Sequence, residues 1–141
     1  MPNDPPDPYV DTDVIIRLIT HDDPKKQEAA AKLFGKVENG ELILTAPDTV
    51  IADAVFVLSS PRLYNLPRTE IRDVLTSLLR YTNFKVDNKQ AVINALDLYA
   101  STNLDFGDCI LIALTAQTEA REIYSYDRDF DKIQGIVRIK P

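Results

Sequence analysis

The stretch from Glu41 to Leu58, ELILTAPDTVIADAVFVL, places a strand pattern and a helix pattern in immediate succession. Leu42–Leu44 is a short apolar run typical of a buried strand, and Thr45 with Pro47 marks the start of a helix. One acid, Asp53, interrupts the apolar helix. Because an isolated carboxylate in an apolar interior is costly, we expect Asp53 to be paired with an arginine or to bind a cation.

The same alternation of strands and helices runs through the rest of the chain. Further strand patterns occur at Tyr9–Val10, 84–86, 122–126 and 135–140, with helical patterns between them. The helical patterns lie at 14–19, 24–40, 67–81, 89–99 and 104–120, besides the helix that carries Asp53. Strands separated by helices indicate βαβ units. We therefore predict a single domain over residues 9–141, a three-layer α/β/α fold with a central, mainly parallel sheet of four or five strands.

The composition limits the kinds of functional site that the chain can contain. A net charge of −6 and a pI of about 4.7 argue against the broad basic surface of a general nucleic-acid-binding protein. A single histidine, His21, makes histidine-based catalytic triads an unfavourable interpretation. A single cysteine, Cys109, cannot form an intrachain disulfide and favours a reducing cytoplasm. Residues 1–8 are polar and proline-rich, without the apolar core of a secretory signal, and we expect a disordered lead-in there.

Acids stand where strands are predicted to end, where helices begin and, at Asp53, inside the helix that follows the strand Leu42–Leu44. Five of them come from four separate segments: Asp11, Asp53, Asp105, Asp108 and Asp127. Because the carboxyl ends of parallel strands meet at one edge of a sheet, we expect these side chains to converge. Crowded carboxylates raise one another's pKa unless a cation lies among them. Oxygen ligands without histidine or cysteine suit Mg²⁺ or Mn²⁺ better than Zn²⁺.

Each acid also has a purely structural explanation, and the residues alone leave the choice open. Asp11 has the position of a helix N-cap. Asp105 and Asp108 would complement the positive end of their helix. Asp127 and Asp129 would form an Asx turn.

Four motifs together resemble the PIN-domain ribonucleases, and most closely the toxins of VapBC-type toxin–antitoxin pairs. In chain order they are DTDVIIRL from Asp11, IADAVFVL from Ile51, DFGDCILIAL from Asp105 and SYDRDF from Ser125. The resemblance covers nearly the whole chain after the lead-in. It departs from the family at two positions, since Asp53 stands where glutamate is usual and Asp13 stands where asparagine is common.

The resemblance implies a metal centre made of acids. Its metal-binding and catalytic residues would be Asp11, Asp53, Asp108 and Asp127. Asp105 would be an accessory acid, and the hydroxyls of Thr12 and Ser125 would orient carboxylates or a bound water. The implied cofactor is one or two Mg²⁺ or Mn²⁺ ions, with Asp11 expected to bridge a pair.

The activity implied by the resemblance is hydrolysis of RNA phosphodiester bonds to 5′-phosphate and 3′-hydroxyl ends by a toxin–antitoxin toxin. Arg128, between two acids, is the first candidate for contact with a substrate phosphate. The other candidates are Arg17, Arg62, Arg68 and Arg80. The implied partners are an antitoxin protein and a second copy of the chain. No membrane partner is expected, because no segment approaches the ~20 apolar residues that a membrane helix requires. The helix at 67–81 would either form a dimer face or bury its apolar stripe in its own core.

Two other functions compete with this one. A PIN-like scaffold that binds RNA or a protein partner without efficient cleavage would follow if Asp53 weakens the metal site. The DTD stretch also resembles the start of a haloacid-dehalogenase-like phosphatase. That family has threonine where this chain has Ile15, and it leaves Asp53 unexplained.

Overall fold

The computed structural model describes residues 7–141, so the predicted lead-in, residues 1–8, falls largely outside the described residues. The helices are α1 (Thr12–Ile19), α2 (Pro24–Glu38), α3 (Asp48–Ser59), α4 (Arg68–Leu79), α5 (Lys89–Ser101) and α6 (Phe106–Thr115). The strands are β1 (Leu44–Ala46), β2 (Phe84–Val86), β3 (Glu122–Tyr124) and β4 (Val137–Ile139). A 3₁₀ helix spans Arg128–Lys132.

The strands are short and pair in parallel. β1 lies beside β2, and β3 lies beside β4. The segment before α1 joins the first pair, because Thr45 N–H donates to Pro8 O and Val10 N–H donates to Thr45 O, both at 2.9 Å. The predicted α/β class is confirmed, and the backbone hydrogen bonds group the described strands into these two parallel pairs. Asp11 therefore lies between the segment that pairs with β1 and the first residue of α1.

Strand β1 begins two residues later than the apolar run suggests. Leu44 is buried opposite Phe84 of β2, whereas Leu42 is only half-buried. The N–H of Leu42 donates to Lys36 O at 3.2 Å and so closes the end of α2. A backbone group used in this way cannot pair with a strand, and the ladder starts at Leu44.

Helix α3 turns one face into the core and the other into solvent. Its buried residues recur at helical spacing and are Val50, Ile51, Ala54, Val55 and Leu58. Phe56, on the other side, is 75% exposed. Because α3 contacts α1, α4, α5 and α6, it is the central helix of the domain.

The apolar stripe of α4 is buried within the domain. Its buried members are Ile71, Leu75, Leu78 and Leu79, and the helix packs against α3 and α5. Of the two interpretations left open for this helix, core packing is the one observed.

Helix α6 ends at Thr115, five residues before the end of its predicted pattern. The hydroxyl of Thr118 donates to Thr115 O at 2.7 Å, and Arg121 has a positive φ of 53°. These features form the turn that leads into β3. Neither α6 nor any other helix within residues 7–141 is long and apolar enough to cross a membrane.

Candidate functional site

Asp11 is the N-cap residue of α1. Its Oδ1 accepts the N–H of Thr12 at 2.7 Å, which is the structural role that the sequence also allowed. The carboxylate is exposed. A capping role leaves room for a ligand, because a carboxylate has two oxygens and about four lone-pair positions.

Asp53 is exposed, so the expectation that its carboxylate lies in an apolar interior is wrong. The neighbouring apolar residues are misleading because a helix of 3.6 residues per turn sends successive side chains in different directions. Ile51 and Ala54 point into the core, while Asp53 lies on the solvent side of α3. No arginine forms an ion pair with Asp53 in the described part of the chain.

Asp11 and Asp53 line the same open groove between α1, α3 and the loop that follows α3. This α1–α3 groove has a volume of about 500 Å³, and its wall also contains Asp13 and Tyr64. Asp13 therefore adds a third exposed carboxylate to the groove. Arg17 also lines the groove but pairs with Asp22, so the three exposed carboxylates would attract a further cation or cationic side chain.

The acids at the start of α6 form a second group. Asp105 is the N-cap residue of α6, and the half-buried Asp108 lies in its first turn. Burial raises the pKa of the Asp108 carboxyl above its ordinary value, and the negative charges of Asp105, Asp127 and Asp129 raise it further. Acids from α6 and from the segment after β3 thus share one electrostatic environment.

Asp127 is held in place at the end of β3. Its N–H donates to Ser125 Oγ at 2.9 Å, and its Oδ1 accepts the N–H of Asp129 at 2.9 Å. Ser125 is in turn tied to β4: its N–H donates to Ile139 O at 3.0 Å, and its carbonyl accepts from Arg138 Nη1 at 3.0 Å. Strand β4 therefore determines where Asp127 lies.

The two hydroxyls singled out in the sequence act through the backbone. Ser125 Oγ accepts the N–H of Asp127, as described above. Thr12 Oγ1 donates to Val50 O at 3.5 Å, a weak contact that joins α1 to α3. Neither hydroxyl bonds to a carboxylate within the described residues, so both influence the acids by positioning the chain that carries them.

The arginine candidates have different surroundings. Arg128 is exposed at the start of the 3₁₀ helix, directly after Asp127. Arg17 pairs with Asp22 at 3.1 Å. Arg68 donates to backbone carbonyls near the end of α5. Among these candidates, Arg128 is the one that directly follows an acid of the second group in the chain.

Two features of the site were not found from the sequence. Asp129, interpreted there only as a turn residue, contributes to the field at Asp108. Asp22 accepts hydrogen bonds from Tyr64 Oη at 2.7 Å and Thr20 Oγ1 at 3.1 Å, and the Tyr64 bond is the main reason that the pKa of Asp22 is lowered. This bond fixes one wall of the α1–α3 groove. No local pattern signals it, since its partners lie 42 positions apart.

The acids fit a divalent cation by their chemistry rather than by a ready-made geometry. No three potential ligands within residues 7–141 are already gathered around one point. All the acids are nevertheless hard oxygen donors. Those of the second group also repel one another, because Asp105, Asp127 and Asp129 add to the effect of burial in raising the pKa of Asp108. Helix α3 contacts both α1 and α6, which carry the two groups.

Comparison with known proteins shows which family the chain belongs to. The PIN domain family matches residues 9–136, a range that contains both groups of acids and ends just before β4. The chain is also similar to a VapC ribonuclease from Aquifex aeolicus (strain VF5), with 25% identity over 132 residues that cover 94% of this chain and 95% of the relative. With parallel strands, acids at strand ends and a family match over most of its length, this chain belongs to the PIN domain family.

Proposed function

We propose that this chain is a divalent-metal-dependent endoribonuclease and the toxin of a toxin–antitoxin pair. Its family and its similarity to a VapC ribonuclease support the reaction class. The observation that carries the proposal is the placement of Asp108, which is half-buried in the first turn of α6 beside the N-cap residue Asp105 and within electrostatic reach of Asp127 and Asp129. Carboxylates that repel one another in the folded state gain stability when a cation is bound among them.

The residues that would hold one or two Mg²⁺ or Mn²⁺ ions are Asp11, Asp53, Asp108 and Asp127. When bound, such ions supply Lewis-acid chemistry, namely a more acidic attacking water and neutralisation of charge on the phosphate. Asp53 is one methylene shorter than the usual glutamate. Its exposed position on α3 lets its side chain change rotamer at little cost.

Hydrogen bonds to the main chain prepare two of these ligands. Thr12 N–H holds one oxygen of Asp11, and Ser125 Oγ holds the backbone of Asp127. Carboxylates that are already oriented lose less conformational entropy when they bind. Thr12 and Ser125 are therefore proposed as accessory residues.

Two charged residues near Asp108 and Asp127, namely Asp105 and Arg128, also have proposed roles. Asp105 would act as an accessory acid, because its charge adds to the field at Asp108. Arg128 is proposed to contact a phosphate of the RNA, since it is exposed directly beside Asp127 and a guanidinium can bind phosphate oxygens in a bidentate manner.

The proposed substrate is RNA, cut to 5′-phosphate and 3′-hydroxyl ends in the cytoplasm. The proposed partners are a cognate antitoxin and a second copy of the chain. An antitoxin with an arginine that enters the α1–α3 groove would find the carboxylates of Asp11, Asp13 and Asp53 there. A cation in this groove offsets the same repulsion that a metal would offset.

The test is cleavage of defined transfer, ribosomal and messenger RNAs with Mn²⁺ present. We expect the wild type to cleave at least one of them and Asp108→Asn to lose that cleavage. Asp97→Asn is the matched control, because Asp97 is an exposed acid of α5 and its substitution changes the net charge equally. Equal cleavage by the wild type and Asp108→Asn would contradict the catalytic assignment.

A catalytically weak scaffold is the second candidate, and it is favoured by the finding that no three potential ligands within residues 7–141 are gathered around one point. Such a protein would bind RNA in a mobility-shift assay without cutting it. Its melting temperature would also be insensitive to millimolar Mn²⁺, since a ligand stabilises only a native state that binds it.

A further inference from the structure

Arg68 makes an unusual set of contacts at the start of α4. Its Nη1 donates to the carbonyls of Tyr99, Thr102 and Leu104 at 3.1, 3.1 and 2.7 Å. Its Nη2 donates to Asn103 O at 3.4 Å. The guanidinium carbon also lies 4.1 Å from the centre of the Tyr99 ring. One side chain therefore holds the end of α5 and the whole turn that follows it.

These contacts supply hydrogen-bond donors to carbonyls at the end of α5. The last carbonyls of a helix lack intrahelical partners and carry partial negative charge, so a guanidinium that reaches them is stabilising. The planar guanidinium of arginine carries its donors in a rigid fork and can stack flat on an aromatic ring while it binds carbonyls, whereas the compact ammonium of lysine has no plane to stack. The guanidinium of the half-buried Arg68 thus binds groups of the protein itself. These contacts account for an arginine at this position without the phosphate contact that the sequence suggested.

The turn that Arg68 holds leads directly into the second group of acids. Leu104, which accepts the shortest of its hydrogen bonds, is followed by Asp105, and Asp108 lies one turn further along α6. The direction in which α6 starts fixes where both carboxylates lie. Arg68 and Asp105 also line one groove of about 740 Å³ beside α3.

We propose that Arg68 is a positioning residue of the active site, which sets the start of α6 and thereby the placement of Asp105 and Asp108. This inference rests on the proposed ribonuclease function, to which it adds a residue outside the four family motifs. Arg68 acts through the turn at 102–104 and touches neither metal nor substrate. Its loss is expected to change the rate of the chemical step more than RNA binding, because misplacement by about 1 Å costs about 10²-fold in rate.

The experiment compares the wild type, Arg68→Gln and Arg68→Lys with Arg72→Gln. Arg72 lies on the same helix, pairs with the adjacent Asp73 and loses the same charge on substitution. Hydrogen exchange followed by mass spectrometry on the metal-free proteins reports the mobility of residues 102–108. Kinetics of RNA cleavage with Mn²⁺, well below the melting temperature of each variant, separate kcat from KM.

We expect Arg68→Gln to exchange faster at 102–108 than the wild type while distant segments are unchanged, and to lower kcat about 10²-fold with KM unchanged. Arg68→Lys should recover part of both effects, and Arg72→Gln should show neither. A raised KM with normal kcat would mean that Arg68 contacts phosphate, and would overturn the proposal. Uniformly faster exchange with normal kcat would mean a general stability role, and would also overturn it.

A second variant keeps the test usable if Arg68→Gln does not fold. Thr102 Oγ1 donates to Leu98 O at 2.8 Å and accepts the N–H of Leu104 at 3.3 Å. Thr102→Val loosens the same turn while keeping its shape, so we expect the same local exchange and the same fall in kcat. A wild type without nuclease activity would overturn the proposed function, whereas normal exchange at 102–108 in the variants overturns the role of Arg68 alone.

Discussion

Replacing Asp108 with asparagine separates the electrostatic cost of the acid cluster from the gain provided by a metal. The pKa of Asp108 is raised above its ordinary value of 3.8, first by burial and then by Asp105, Asp127 and Asp129. The folded protein thus holds this proton more tightly than the unfolded chain. Ionisation of Asp108 therefore costs nothing at pH values below 3.8, an increasing amount as pH rises towards the folded-state pKa, and a constant amount above it.

Asp108→Asn removes this cost, so the stability of the variant relative to the metal-free wild type should increase as pH rises from about 4 to neutrality. The first-turn position of Asp108 opposes the effect, because the helix dipole favours a negative charge there by about 0.3–1 kcal/mol. The sign of the slope therefore tests whether burial and repulsion outweigh the dipole.

Added Mn²⁺ should reverse the order of the two proteins. A cation at 100 times its Kd stabilises the native state by about 2.7 kcal/mol. An unfolding entropy of about 2.1 cal/mol/K per residue gives about 0.3 kcal/mol/K for this chain, so the Tm of the wild type should rise by about 9 °C. If the variant binds about 100-fold more weakly, it gains only about 0.4 kcal/mol, and its Tm rises by about 1 °C.

The assay is calorimetry of EDTA-treated protein across this pH range, repeated with Mn²⁺, with Asp97→Asn as the matched control. Asp97 is an exposed acid of α5, so its replacement should leave both the pH slope and the Mn²⁺ response unchanged. A relative stability of Asp108→Asn that falls as pH rises would refute the repulsion argument. An equal loss of the Mn²⁺ response in Asp97→Asn would refute the assignment of Asp108 as a ligand.

Three further predictions concern the segment around β3 and β4 and the buried thiol. Ser125→Ala removes the acceptor of the Asp127 N–H. It should lower the free energy of unfolding, measured in urea, by about 0.5–1.5 kcal/mol. It should also lower the rate of RNA cleavage, and an unchanged cleavage rate would contradict the orienting role of Ser125. Arg138→Gln breaks the ion pair that lowers the pKa of Asp131, so it should lower the free energy of unfolding at neutral pH. This loss should shrink as pH falls through the lowered pKa of Asp131, and a loss that grows in acid would contradict the argument. Burial raises the pKa of the Cys109 thiol to about 11. A thiol reagent at about pH 8 should therefore label Cys109 only as fast as the protein unfolds. Rapid labelling of the native protein would show that the thiol is accessible.

The sequence predicts the fold class well because the periodicity of apolar residues reflects burial directly. The alternation of strand and helix patterns around 41–58 gives an α/β domain with parallel strands, which the structure has. The bounds of the elements depend on tertiary hydrogen bonds that no local pattern contains. Strand β1 starts late because Leu42 N–H is used by the end of α2, and α6 ends early because Thr118 closes a turn.

The candidate acids are found from the positions of their residues in the predicted strands and helices, whereas the surroundings of their side chains are not. Asp53 was expected to be buried because its neighbours in sequence are apolar, yet burial on a helix depends on the direction of each side chain. The network of Asp22 with Tyr64 joins segments far apart in the chain. The role of Arg68 likewise depends on a turn more than thirty residues later, with which no sequence motif connects it.

The dependence of Asp127 on β4 has a consequence for the synthesis of the protein. Every acid of the proposed centre lies earlier in the chain than β4, and chains emerge from the ribosome starting at the N-terminus. A nascent chain therefore carries all its acids before it has the strand that aligns Ser125 and, through it, Asp127. If the proposed function holds, we expect nuclease activity to appear only once β4 has been added, so that the unfinished chain does not cleave the message being read.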